Sequence, residues 1–144
     1  MDRFDSKLNS KKDKIFMMEA ILEASKANYE VYPNPKVGCV IVKKDKIISR
    51  GYHSKYGKSH AEKNALKYLG KENKNLTMYV NLEPCNHYGK TSPCAKLIKS
   101  KQFSRVVIAE KDPTKLASGG IDYLLKNNIR VDLGICRKEA RELN

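Results

Sequence analysis

Apolar and polar positions alternate along the chain in two rhythms, one helical and one strand-like. Ile15, Met18 and Leu22 follow helical spacing and predict a first helix over about residues 14–29, with Asp13 as its cap. A turn at Tyr32-Pro33-Asn34-Pro35 ends it. VGCVIV from Val37 and KIISRGYH from Lys46 are strand-like, and only the polar KKDK run between them can turn in water. Those two strands should pair as an antiparallel hairpin.

From Ser59, SHAEKNALKYLG returns to helical spacing, with Ala61, Ala65 and Leu69 on one face and Gly70 as C-cap. LTMYVNL follows as a strand. SPCAKLIKS predicts a helix capped by Ser92 with Pro93 in its first position, and RVVIAEK a buried strand. The end repeats the alternation: GGIDYLLKNN as helix, IRVDLGI as strand, CRKEARELN as a final helix. A hairpin followed by alternating strands and helices predicts a three-layer α/β/α domain on a mixed, mostly parallel sheet of about five strands. No repeat, low-complexity tract or linker divides the chain, so a single domain over 1–144 is expected, with residues 1–13 flexible.

The longest apolar runs are far too short to cross a bilayer, and the charged N-terminus has no apolar signal region, so a cytoplasmic protein is expected. Four cysteines in such a chain are read as thiols and metal ligands and not as disulfides. The net charge of +13 suggests an anionic partner. Its carriers weaken a nucleic-acid reading, because 23 of the 29 basic residues are Lys, scattered along the whole chain, whereas base readout favours Arg.

All three histidines, His53, His60 and His87, share one segment with Cys85, and Cys94 lies just beyond. The expected topology puts His60 and Cys94 at helix starts and Cys85 past a strand end. In an α/β sheet these meet in the crevice beyond the strands, where helix N-termini favour thiolate over thiol. One imidazole and two thiolates suit Zn²⁺ with an open fourth position, which would ready water for attack near neutral pH. Glu62, two residues after His60, could then move protons without ligating the metal. Blander roles stand beside these. Ser59-x-x-Glu62 is also a capping box, His53 is also a polar strand end, and Cys39 and Cys136 read as small buried hydrophobes.

His60-Ala61-Glu62 and Pro84-Cys85 match the H-x-E…P-C-x-x-C signature of zinc nucleobase deaminases, but eight residues separate Cys85 from Cys94 where that signature has two. With PNPKVGCVIV, GYHSKYGKSHAE, NLEPCNHYGKTSPC and Asp112-Pro113, the chain from Ile15 onward resembles the pyrimidine deaminases of riboflavin biosynthesis, of the cytidine deaminase-like superfamily. The long cysteine spacing is that family's own variant. The resemblance implies hydrolytic deamination of 2,5-diamino-6-ribosylamino-4(3H)-pyrimidinone 5′-phosphate, one Zn²⁺ held by His60, Cys85 and Cys94, and Glu62 as proton shuttle. Asn34 and His53 match positions that contact the pyrimidine. His87, Lys90 and Asp112 match positions at the ribosyl phosphate end. Thr91-Ser92-Pro93-Cys94 and Asp112-Pro113-Thr114-Lys115 depart from the family's Thr-Pro-Pro-Cys and Asp-Pro-Asn-Pro.

The partners implied are a phosphorylated pyrimidine, further copies of the chain and a separate reductase, since no reductase domain is expected within these residues. Neither a membrane nor a nucleic acid is expected. A tRNA adenosine deaminase and a non-catalytic zinc-stapled module are the rival readings.

Overall fold

The structure is a computed structural model that describes residues 3–67, 69–70, 74–86, 94–113 and 119–144, with side chains of the first helix from residue 10 onward. Helix α1 spans Arg3–Ala24, and a short 3₁₀ turn, Tyr29–Val31, leads to a cis Tyr32–Pro33 bond. Then come strands β1 (Gly38–Lys43) and β2 (Lys46–Tyr52), helix α2 (Ala61–Leu66) and strand β3 (Leu76–Leu82). Helix α3 (Cys94–Lys99), strand β4 (Phe103–Glu110), helix α4 (Gly120–Lys126), strand β5 (Arg130–Leu133) and helix α5 (Arg137–Leu143) complete the order. No helix among the described residues is long and apolar enough to cross a membrane.

The sheet order is β2-β1-β3-β4-β5. β1 pairs antiparallel with both β2 and β3, while β3–β4 and β4–β5 are parallel. The sheet is therefore mixed in equal shares and not mostly parallel. The hairpin places β1 inside the sheet, where it imposes a second antiparallel pairing on β3. Lys44 and Asp45 close that hairpin with φ of 49° and 62°, the left-handed pair that a two-residue turn needs to follow the strand twist.

Alternation along the strands builds two cores. Cys39, Ile41, Met78, Val80, Val106 and Ile108 face α2, α3 and α4 through Ala61, Ala65, Ala95, Ile98 and Leu124. Val40, Val42, Tyr79, Val107 and Ala109 face α1 and α5 through Met17, Ala20, Ile21 and Ala140. The three layers expected from the sequence are these.

Helix α1 differs from its expected form in two ways. The residues whose spacing signals it form its outer side, Ile15 being 55 % and Leu22 57 % exposed, and the core is met by Met17, Ala20, Ile21 and Ala24. It also begins well ahead of Asp13. That residue is no cap: its carboxylate accepts both Arg105 Nη1 and Nη2, at 2.8 and 2.6 Å, and the Tyr79 hydroxyl at 2.6 Å. A buried mid-helix carboxylate tied to β3 and β4 gives the helix a reason to continue past it. The helix stops at Ala24, short of residue 29, where Ala27 N–H turns back onto the Ala24 carbonyl.

Gly51 positions α2. A Cβ there would fall against the Ala61 carbonyl and the Ala65 amide, so only glycine lets the helix lie directly on β2. Ser49 Oγ donates to the Ala65 carbonyl at 2.5 Å and Asn64 Nδ2 to the Tyr52 carbonyl at 2.8 Å, fixing the same contact. The C-cap is Lys67 and not Gly70, because the Lys67 amide makes the last helical bond, to the Lys63 carbonyl. The expected cap Ser92 and first-turn Pro93 of α3 lie outside the described residues.

Candidate active site

The site forms beyond the carboxyl ends of β3 and β4, where three short segments converge. His60 is the N-cap of α2, with an extended backbone at φ −71° and ψ 166°. Cys85 follows β3 by three residues, and Cys94 opens α3. The Cys94 backbone N–H donates to Cys85 Sγ at 3.3 Å and the Ala95 N–H to the Cys85 carbonyl at 3.1 Å, so the start of α3 is docked on the Cys85 segment. His60 Nδ1 lies 3.7 Å from Cys85 Sγ and 3.3 Å from Cys94 Sγ.

These three donor atoms lie within 4.8 Å of one another. All are soft or borderline, a set that fits Zn²⁺, and among the described residues no fourth protein ligand joins them. Their protonation in the absence of a metal points the same way. The Cys94 thiol, together with His60, holds the Cys85 sulfur well below the ordinary thiol range, and the resulting thiolate, with burial, pushes Cys94 up. His60 is raised in turn by Cys85. An anionic sulfur beside an imidazole whose protonated form it favours is an arrangement a divalent ion would replace, releasing protons.

Glu62 lies in the first turn of α2 and is 3 % exposed. Burial, and then the negative charge of Cys85, push its carboxyl up to about 7, against the opposing pull of His60 and a hydrogen bond with Cys94. A carboxyl poised near neutrality can both take and give a proton. The capping-box role does not form, because His60 and not Ser59 occupies the N-cap and no side chain caps the helix there.

His53, 2 % exposed just beyond β2, meets the His60 ring edge-on with centroids 5.3 Å apart. Its Nδ1 is 3.1 Å from the Ser59 carbonyl and its Nε2 is 3.1 Å from Asn34 Nδ2. Burial lowers its pKa, which favours the neutral ring. The structure thus brings together Asn34, His53, His60, Glu62, Cys85 and Cys94. Asp112 stands past the end of β4 and is linked to the site through backbone: its N–H donates to Glu83 at 3.1 Å. His87 and Lys90 lie outside the described residues. Cys39 is fully buried and Cys136 half-buried against the α1–α5 core.

Two residues absent from the sequence reading organise the neighbourhood. Glu83 is 4 % exposed, and its carboxylate accepts the backbone N–H of Asp112 at 3.1 Å and of Ile121 at 3.0 Å, clamping the stretch after β4 and the first turn of α4 to the segment that carries Cys85. Asn81 is 1 % exposed, accepts from the Gly38 N–H at 2.9 Å and donates to the Lys36 carbonyl at 3.0 Å, anchoring the stretch that holds Asn34. The signal for both was polarity inside a buried run: NLE interrupts the strand just before Pro84-Cys85, and a buried polar side chain must find partners.

Residues 10–110 match the family model of the cytidine and deoxycytidylate deaminase zinc-binding region. The chain is 44 % identical to the diaminohydroxyphosphoribosylamino-pyrimidine deaminase of Buchnera aphidicola (Schizaphis graminum), covering 92 % of this chain and 91 % of that protein. It is 48 % identical to the riboflavin biosynthesis protein RibD of Aquifex aeolicus over 92 % of its own length but only 37 % of that longer protein. In structure it superposes on the bifunctional deaminase/reductase of Thermotoga maritima with a TM-score of 0.91 at 36 % identity, spanning 94 % of this chain and 40 % of that one.

Proposed function

The chain belongs to the cytidine and deoxycytidylate deaminase family, in its diaminohydroxyphosphoribosylaminopyrimidine deaminase branch, and from that membership we propose the reaction it runs. It converts 2,5-diamino-6-ribosylamino-4(3H)-pyrimidinone 5′-phosphate and water to 5-amino-6-(5-phosphoribosylamino)uracil and ammonia, a step of riboflavin biosynthesis. The observation that carries this reading is a buried carboxyl, Glu62, in the first turn of the helix that His60 caps, beside a His60-Cys85-Cys94 donor set.

His60, Cys85 and Cys94 would hold one Zn²⁺. When bound, the ion supplies Lewis acidity that makes water a competent nucleophile near neutral pH. Glu62 takes the proton of the attacking water and passes it to the ring nitrogen of the amidine, then carries a second proton to the departing amino group. The C–N bond breaks, ammonia leaves, and the ring keeps a carbonyl in its place. Asn34 and His53 read the pyrimidine edge. Asp112, with His87 and Lys90, serves the ribosyl phosphate end, where a lysine offers a point charge to the phosphate.

Four free thiols accord with a reducing, cytoplasmic setting. RibD and the Thermotoga protein carry more than this deaminase length, and a reductase that consumes the uracil product is the proposed partner here. The test incubates zinc-loaded protein with the diaminopyrimidine ribosyl phosphate, cytidine and a tRNA anticodon stem, and measures ammonia. Release from the first compound alone is expected. Its absence would overturn the assignment.

A further inference from the structure

Deepening the function proposed above, and resting on it, we propose that Asn144 is a positioning residue for the pyrimidine-reading end of the site, acting through the backbone of Lys36 to hold Asn34 in place. Lys36 stands ahead of Gly38, the first paired residue of β1, so its peptide groups are met by side chains. Its N–H donates to Asn144 Oδ1 at 2.8 Å, and its carbonyl accepts from Asn144 Nδ2 at 3.1 Å. A side-chain amide carries a donor and an acceptor side by side, which is what a neighbouring strand would offer to one residue. Asn144 fills that role from 108 positions away.

The stretch is gripped at two ends by two different asparagines. Asn81, 1 % exposed, donates to the same Lys36 carbonyl at 3.0 Å and accepts the Gly38 N–H at 2.9 Å. The Val37 carbonyl accepts the His53 N–H at 3.0 Å. The Gly38 end is thus fixed from within the sheet, and the backbone of His53 with it. The Asn34 end depends on Asn144. Between Lys36 and Asn34 stands only Pro35, whose ring fixes φ and which has no N–H of its own to anchor. The placement of Lys36 therefore passes directly to Asn34, whose own N–H is held on the other side by the Val31 carbonyl at 2.8 Å. Helix α5 brings Asn144 to this point: Ala140 and Leu143 pack into the α1–α5 core, and Arg141 pairs with Glu110 at the end of β4. Asn144 itself is exposed. Exposed bonds add little to overall stability, so their effect falls on the order of the Asn34 stretch.

The test has a part independent of activity. In zinc-loaded protein, hydrogen exchange at the Lys36 amide should be at least about tenfold faster in Asn144→Ala than in the parent, while exchange at Gly38, held by Asn81, stays the same. Equal exchange at Lys36 in the two proteins would overturn the proposal. The second part is kinetic. Asn144→Ala should raise KM for the diaminopyrimidine ribosyl phosphate about fivefold with kcat within about twofold, at unchanged zinc content and Tm. Asn144→Gln carries the same amide and should recover most of that loss. Asn144→Asp should not, because it turns a carboxylate on the Lys36 carbonyl. A Gln variant no better than Ala would count against the proposal. Placed on Asn34→Ala, Asn144→Ala should add less than about a twofold loss in kcat/KM. Multiplying losses would mean that Asn144 does not act through Asn34, and the proposal would fall. If the parent releases no ammonia from the diaminopyrimidine, the functional reading fails while exchange at Lys36 still decides whether Asn144 holds this stretch.

Discussion

The backbone N–H of Cys94 donates to Cys85 Sγ across 3.3 Å. That contact is a protein hydrogen bond, and neither apolar core draws on His60, Cys85 or Cys94. Chelation should therefore leave the far-UV circular dichroism spectrum essentially intact while lowering Tm. Zinc that binds only the folded state adds about 4 kcal/mol when free zinc stands a thousandfold above Kd. Collapse of the helical signal on chelation would instead identify a metal that staples the fold.

Replacing Glu62 by Gln should keep zinc and lose about 10²–10⁴-fold in kcat. A zinc-loaded variant of near-normal activity would remove Glu62 from the mechanism. The same substitution has a stability signature in metal-free protein. A carboxyl raised from 4.5 to about 7 keeps its proton longer folded than unfolded, so parent stability falls as pH rises through that window. Gln carries no such penalty. The variant should match the parent near pH 4 and exceed it by about 3 kcal/mol above pH 7 in urea titrations.

What the sequence made legible here was local. Hydrophobic rhythm gave the order and kind of the elements because β-alternation and helical spacing are properties of neighbouring residues. It misplaced the buried side of α1, since Ile15, Met18 and Leu22 fit helical spacing as well as Met17, Ala20, Ile21 and Ala24 do, and only the sheet beneath decides between the two faces. It also misread Asp13, whose partners Tyr79 and Arg105 are distant in the chain. The site residues were conspicuous because His, Cys and Glu at motif spacing are rare by chance. Glu83 was not, because its partners are backbone amides and leave no mark on residue type.

Glu83→Ala should destabilise the protein by about 2–4 kcal/mol, since two N–H groups lose a charged acceptor. A consequence for catalysis follows from where those groups lie. Asp112 belongs to the side proposed to meet the ribosyl phosphate, so KM for the phosphorylated substrate should rise several-fold more than KM for its dephosphorylated form. Equal rises would limit Glu83 to folding. Zinc content should not change in either case.

Asp13 offers a prediction on the opposite face of the sheet. Burial alone would raise its carboxyl, but the Arg105 and Tyr79 hydrogen bonds and the Arg105 charge outweigh it, and the net shift is downward from 3.8. A carboxyl depressed in the folded state contributes stability above its unfolded pKa and loses it as pH falls through the folded value. Asp13→Asn should therefore cost about 3 kcal/mol at pH 7, with Asp132, 2.6 Å from Arg105 Nε, keeping the guanidinium from being left unpaired. Lowering the pH below about 4 should close the gap between variant and parent, because the parent is then losing the same interaction. Tyr79→Phe removes a single donor while both Arg105 bonds to Asp13 persist, so its cost should be nearer 1 kcal/mol. Urea titrations of the three proteins at pH 7 and pH 3 check the ordering. A gap for Asp13→Asn that stayed constant between those pH values would mean that packing of the side chain, and not its charge, holds α1 to the sheet.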